Sequence, residues 1–370
     1  MSELTAGIVD RPQADLAARL RRRARSRAIW LAGFGLALIV TALFAAGTGA
    51  IHIAPAQILS VLAERLLGID LGLAHEAREA AVLMAIRLPR LVLGLLIGAG
   101  LGVSGAVLQG MFRNPLADPA LIGVSSGASM GAVVMIVFGS AFLAGAGAGF
   151  APYLVPLAAF TGGLLVVALV YGIAQREGGT DVATLLLAGI ALNAIAASVV
   201  GLMIFVSDDR QLRDLNFWLL GSLASATWQK VGILLPCTAL ALLGCQRLTR
   251  FLNAISLGEA EARHLGVSVE ASKRWAVVLA ALATGAAVAM SGVIAFVGLV
   301  VPHLVRLMIG PDHRYLVPAS AMLGALVITL ADILARTVAT PADLPIGVVM
   351  SLLGGPFFIW LLHRRRQVGF

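Results

Sequence analysis

The chain of 370 residues is short of charge, of lysine and of cysteine. Only 12% of its residues are Asp, Glu, Lys or Arg, against about 25% in an ordinary soluble domain. That scarcity excludes a soluble enzyme, and it equally excludes a disordered chain, which stays unfolded by being polar and charged. The two cysteines, Cys237 and Cys245, fall in one apolar run. On a helix they stand about 12 Å apart, beyond the reach of a disulfide, so a disulfide scaffold is excluded as well. No GxxxxGK[ST] phosphate loop, no HExxH and no CxxC occurs, which removes the commonest routes to nucleotide and zinc chemistry. No catalytic or metal-ligating set is expected.

What is abundant points one way. Hydrophobic residues make up 59% and glycines number 41, and the mean hydropathy is +0.96. Glycine is commoner in transmembrane helices than in soluble ones. The reading is an all-α polytopic membrane protein. A net charge of +8 suggests nucleic acid in a soluble protein. Here the arginines cluster beside apolar runs, at Arg19, Arg21, Arg22, Arg23, Arg25 and Arg27 and again at Arg364, Arg365 and Arg366. Such clusters anchor the cytoplasmic ends of spans.

Residues 1–27 read as a basic, partly disordered cytoplasmic tail, and 28–366 as the membrane domain. The run from Ala28 to about Ala50 is longer than the 7–15 residue core of a signal peptide and reads as a first span. Residues 51–86 are amphipathic and of mixed charge, an expected external loop with short helices. Further spans are predicted at about 88–112, 119–143, 151–175, 183–206, 231–249, 276–310, 316–335 and 344–362. The stretch 276–310 would be about 50 Å long as a helix, against a hydrocarbon core of about 30 Å. A break at Ser291-Gly292 divides it and brings the total to ten spans. With both termini inside, most Lys and Arg fall on the cytoplasmic side, as the positive-inside rule requires.

An offset of 187 residues aligns Arg87 with Arg274, Gly98 with Gly285, Ser104-Gly105 with Ser291-Gly292, Pro115 with Pro302 and Gly123 with Gly310. The first copy runs inward and the second outward, so the repeat is inverted, a transporter signature. Gly94, Gly98 and Gly102, and likewise Gly123, Gly127 and Gly131, form four-residue stripes that let helices approach closely. Charged residues within spans are few: Asp332 with Arg336, and His303 with Arg306. Ion-coupled carriers keep carboxylates in mid-span. An Asp with an Arg one turn away reads as a local ion pair, which places the energy source on another subunit. A secondary carrier driven by an ion gradient is the competing class, favoured by the inverted repeat alone.

Six segments carry a resemblance. They are Arg87-Leu88-Pro89-Arg90; GAGLGVSGAVLQGMFRNPLADPALIGVSSG at 98–127; LGEAEARHLGV at 257–267; GVIAFVGLVVPHLVR at 292–306; ITLADILAR at 328–336; and LPIGVVMSLLGGPFFIWL at 344–361. The pattern resembles the FecCD-type permeases, membrane subunits of type II ABC importers for heme, ferric siderophores and cobalamin. It covers nearly everything from 87 to 362. The resemblance implies a homodimer with ten spans per subunit in a bacterial inner membrane, two cytoplasmic ATPases that bind ATP and Mg, and one periplasmic binding protein. It implies no permanently bound cofactor on this chain. Heme is the first expected cargo, ferric siderophore the second and cobalamin the third.

The resemblance also suggests roles for particular residues. Arg87, Arg90 and Arg336 look like docking arginines for acidic groups of the binding protein, a task that suits the bidentate guanidinium; the alternative is that they anchor helix ends, or that Arg336 merely pairs with Asp332. Leu257, Gly258, Glu259, Arg263, Leu265 and Gly266 are similar to the coupling helix seated in an ATPase, and the alternative is an ordinary solvated helix. Asn114 and Leu116, beside a span-breaking Pro115, match one cytoplasmic gate, and Asn114 also suits a helix C-cap. Val182 and Ala183 match a second gate, although this chain carries small apolar residues where some relatives have hydroxyls. Asn193 and Ser198 are candidates for the translocation path. Residues 216–228 resemble a short external helix at the cavity mouth, whose Trp218 and Trp228 equally suit interfacial anchoring. His303 lies within a general family motif and reads as structural.

Overall fold

The computed structural model describes residues 3–367, apart from 50, 74, 147, 177–178 and 340–341. The chain opens with α1 (Glu3–Gly47) and continues through two short helices, α2 (Pro55–Leu62) and α3 (Ala77–Val82), into α4 (Leu88–Met111). There follow α5 (Val124–Ala146), α6 (Ala151–Ala174), a two-stranded hairpin of β1 (Gln175–Arg176) and β2 (Gly179–Thr180), α7 (Val182–Val206) and α8 (Asp209–Leu220). The second half comprises α9 (Trp228–Arg247), α10 (Thr249–Ile255), α11 (Glu259–His264), α12 (Val269–Ser291), α13 (Val297–Ile309), α14 (His313–Thr337) and α15 (Ile346–Gln367).

Among the described residues, seven helices are long and apolar enough to cross a bilayer, and three shorter apolar ones, at Val124–Gly139, Val297–Ile309 and Ile346–Leu361, occupy the other expected positions. The break in the over-long run falls where expected. The helix α12 stops at Ser291 and Gly292 takes φ +74°, a left-handed conformation that glycine adopts without steric cost. Phe296 is left-handed too, and α13 starts at the next residue.

Three expectations need correction. Residues 3–27 do not form a separate disordered tail: they continue α1 as one 45-residue helix, in keeping with their wealth of Ala, Leu and Arg, all strong helix formers. The end of that segment is fastened, because Arg27 reaches Asp312 at 3.3 Å and stacks 4.7 Å from the Tyr315 ring centre. The side chains of Arg19, Arg21, Arg23, Arg364, Arg365 and Arg366 lie outside the described residues. Next, the span expected from 119 begins at Val124. Asp118 caps a 3-10 turn over Pro119–Ile122, and Gly123 at φ +83° ends it. Finally, Ser104-Gly105 lies inside an unbroken α4 whereas Ser291-Gly292 ends α12, so at that position the offset of 187 matches a helix interior with a helix end.

The core is built on α4, which packs against α14, α12, α13 and α9. Glycine makes this possible. A Cβ on Gly98 would overlap the backbone of Gly324, one on Gly102 that of Ser320, and one on Gly105 that of Gly298. A second close pair joins α5 to α6, where Gly127 meets Gly162 and Gly131 meets Ala158. Without hydrophobic drive between helices in lipid, such close backbone approach supplies the packing energy. Polar groups bridge the same seam: Thr284 Oγ1 donates to Ser104 Oγ at 2.7 Å, and Ser104 Oγ donates to the Ala280 carbonyl at 3.1 Å.

Candidate functional site

At one end of the bundle, α1 stops and α4 starts. The carbonyls at a helix C-terminus have no partner within the helix, and here arginines supply one. Arg87, only 5% exposed, donates from Nη1 to the Ala46 and Gly47 carbonyls at 2.7 and 2.9 Å, and from Nη2 to the Ile51 carbonyl. Arg336 donates to the Thr48 and Ala45 carbonyls, both at 3.1 Å, and its Nε lies 3.2 Å from Asp332. Arg90 takes the other Asp332 oxygen at 2.9 Å and Asp343 at 2.6 Å. Arg90 and Arg336 thus share Asp332, while Arg336 and Arg87 share the carbonyls around the end of α1, all with donors directed into the protein. The side chains of Arg90 and Arg336 are 11% and 10% exposed, while Asp343 is 35% exposed.

A separate cavity of about 510 Å³ is walled by the start of α6, by α8, by the start of α9 and by the broken end of α12. Phe217, Trp218 and Met290 give it apolar surface; Asp214, Ser222, Lys230 and Ser291 give it polar groups. Helix α8 begins earlier than the expected 216, because Asp208 and Gln211 form a capping box, and it ends at Gly221 with φ +71°. Trp218 is on the cavity wall, whereas Trp228 points elsewhere and donates its indole N–H to the Met84 carbonyl at 2.8 Å. Lys230 and Asp214 were missed in the sequence. A lone Lys at the start of an apolar run reads as a span anchor, and only the fold sets it beside Trp218.

Neither Asn193 nor Ser198 is on that wall. Asn193 donates to the Ala120 carbonyl at 3.1 Å, holding the 3-10 turn before α5. Ser198 is exposed and donates to the Ala194 carbonyl of its own helix at 2.9 Å.

The opposite end holds the remaining candidates. Asn114 follows α4, with its Oδ1 accepting the Leu116 N–H at 3.0 Å and its own N–H bonded to the Gln109 carbonyl at 3.1 Å. It therefore caps the helix, and it is also exposed, with Leu116 half-buried beside it. Val182 and Ala183 open α7, where the Asp181 carboxylate accepts the Ala183 and Thr184 N–H groups. The Thr184 hydroxyl, together with these two amides, holds the Asp181 carboxyl below its ordinary range. Helix α11 is bracketed by Gly258 at φ +130° and Gly266 at φ +78°. Its flanking Leu257 and Leu265 are 66% and 65% exposed, while Ala262 faces inward and is fully buried. Arg263 lies 3.7 Å from Glu270.

A bundle of apolar helices with a broken pair, a cavity among α6, α8, α9 and α12, and a short helix flanked by exposed leucines fits a polytopic membrane transport subunit. The chain belongs to the FecCD transport family, whose pattern matches residues 36–364. It is 45% identical over 288 residues to the hemin transport system permease protein HmuU of Yersinia pestis, covering 76% of this chain and 83% of that protein. It is 37% identical over 352 residues to the vitamin B12 import system permease protein BtuC of Klebsiella pneumoniae, covering 95% and 98%. A solved inward-facing structure of a metal-chelate type ABC transporter superposes with a TM-score of 0.77 at 32% identity, covering 90% of this chain and 98% of that one. The chain is a membrane permease subunit of a type II ABC importer, a class that works with an ATPase and a binding protein.

Proposed function

We propose that the chain forms the transmembrane pathway for heme, entering a bacterial cytoplasm through the inner membrane as a homodimer with both termini cytoplasmic. Two ATPase subunits with ATP and Mg drive it from inside, and a periplasmic binding protein delivers the cargo. The observation that carries the cargo class is the cavity wall, where Phe217 and Trp218 offer flat apolar surface and Lys230, hydrogen-bonded to Ser225 at 2.7 Å, offers a cation for a carboxylate. The 45% identity to a hemin permease supports the same choice. Ferric siderophore and cobalamin are the alternatives, the latter favoured by similarity to cobalamin permeases. The test is uptake by proteoliposomes containing the permease, its ATPase and its binding protein. Heme should accumulate while ferric siderophore and cobalamin stay at background; the reverse pattern overturns the cargo assignment.

Apolar side chains left uncovered on α7, among them Leu187, Ile190 and Phe205, suit a second copy of the chain. In this reading Leu257, Gly258, Glu259, Arg263, Leu265 and Gly266 contact the ATPase. Asn114, Leu116, Val182 and Ala183 line the gate on that side, and Asn193 and Ser198 lie along the path to it.

The binding protein docks over Arg87, Arg90 and Arg336, and Arg90 is the one whose internal partner is accessible. An acidic group of the binding protein competes with Asp343 for its guanidinium. Asp343→Asn removes the competitor and should tighten association with the binding protein by about threefold to tenfold at low salt. Unchanged affinity in a titration with the detergent-solubilised complex takes the arginines out of the docking surface.

A further inference from the structure

Lys273 stands near the start of α12 and is 2% exposed. Its ammonium reaches Glu259 Oε1 at 2.8 Å, Glu270 Oε1 at 3.3 Å and the Thr180 carbonyl at 3.2 Å. These partners belong to three different elements: the first residue of α11, the preceding turn of α12, and β2 of the hairpin. The hairpin is held a second time, since Glu270 Oε2 accepts the Thr180 N–H at 2.7 Å. It is held a third time from α6, where Tyr171 bonds the Thr180 hydroxyl at 3.1 Å. The residue after Thr180 is Asp181, the cap of α7, and Val182 and Ala183 follow directly.

Burying an ammonium is costly, and an apolar side chain of similar length usually holds a fold at least as well. A lysine here is therefore poorly explained by stability. What it does provide is a directional link, because moving Glu259 pulls on Lys273 and through it on Thr180. Room for such movement exists. A cavity of about 170 Å³ lies between the hairpin and α12, lined by Tyr171, Gln175, Arg176, Glu270 and Arg274.

We propose that Lys273 is a positioning residue that transmits displacement of α11 to the start of α7, so that ATPase closure is felt at Val182 and Ala183. This rests on the reading of α11 as the ATPase contact. Lys273 binds neither cargo nor ATPase; it joins the two surfaces.

The test uses the complete transporter in proteoliposomes and measures cargo moved per ATP hydrolysed. Lys273→Met should lower that ratio about tenfold, a size typical of a coupling residue. Hydrolysis itself should continue. Lys273→Arg should recover much of the ratio, since the guanidinium can span the same three acceptors. A residue that only supports the fold lowers transport and hydrolysis together and leaves the ratio unchanged; that outcome overturns the proposal. Glu270→Gln, which weakens the hairpin side of the link while leaving the lysine in place, gives the same readout should Lys273→Met fail to assemble. A disulfide crosslink from Leu257→Cys to the ATPase separates the two levels of the argument. If it forms and the ratio holds at wild type, the relay alone is wrong. If no crosslink forms at any ATPase position, the placement of α11 is wrong and the relay falls with it.

Discussion

Gly105→Ala is expected to cost about 3 kcal/mol, the upper range for overpacking, because the new methyl group has no free space. Its Cβ would overlap the Gly298 carbonyl group and come within 2.7 Å of the Gly298 Cα. These are backbone atoms at the start of α13, and they have no rotamer through which to yield. The helix α4 lies at the centre of the bundle, so separating it from α13 also disturbs the nearby hydrogen bond from Gln109 to the Leu299 carbonyl at 3.0 Å. Thermal unfolding can be followed through the buried thiol of Cys245 with a thiol-reactive dye in a Cys237→Ser background. Gly201→Ala is the control, since a Cβ there meets nothing within 4 Å. A large fall in midpoint for Gly105→Ala and none for Gly201→Ala is the expected pair. Equal midpoints would mean that α4 and α13 do not pack as described.

Asp332→Asn should be nearly as damaging. Asp332 is 5% exposed and its two oxygens serve Arg90 and Arg336 at 2.9 and 3.2 Å. Removing one partner from a buried ion network leaves the remaining charge uncompensated, at a cost of about 3–5 kcal/mol. The lower figure applies here, because Arg90 keeps Asp343 and Arg336 keeps its two carbonyls. Since those carbonyls belong to the end of α1, its detachment should be visible as faster amide exchange over residues 45–51, measured on the intact protein in detergent. Wild-type exchange there would show that the network does not hold α1.

Much of this architecture was legible in the sequence because membrane helices announce themselves by length and composition alone. The break at Ser291-Gly292 followed from the limit a bilayer sets on a span. The stripe Gly94, Gly98 and Gly102 signalled close helix approach, since small side chains four residues apart share a face. The site was harder to see. Spacing shows that Arg87 and Arg90 share a helix face, but the carbonyls that occupy Arg87 belong to Ala46, Gly47 and Ile51, and nothing local reveals that they lie beneath it. The role of Lys273 was invisible for the same reason: Glu270 is a local neighbour on α12, but Glu259 and Thr180 are not. The expected start at 119 misled because Asp118 and Gly123 together make a turn that hydropathy averages away.

The central claim, that this chain is the passive pathway of an ATP-driven importer, meets its most direct test in proteoliposomes that hold the permease with or without its ATPase. Cargo uptake should require the ATPase, ATP and the loaded binding protein, and should be indifferent to proton or sodium gradients. Uptake by the permease alone, driven by such a gradient, would contradict the account and restore the secondary carrier.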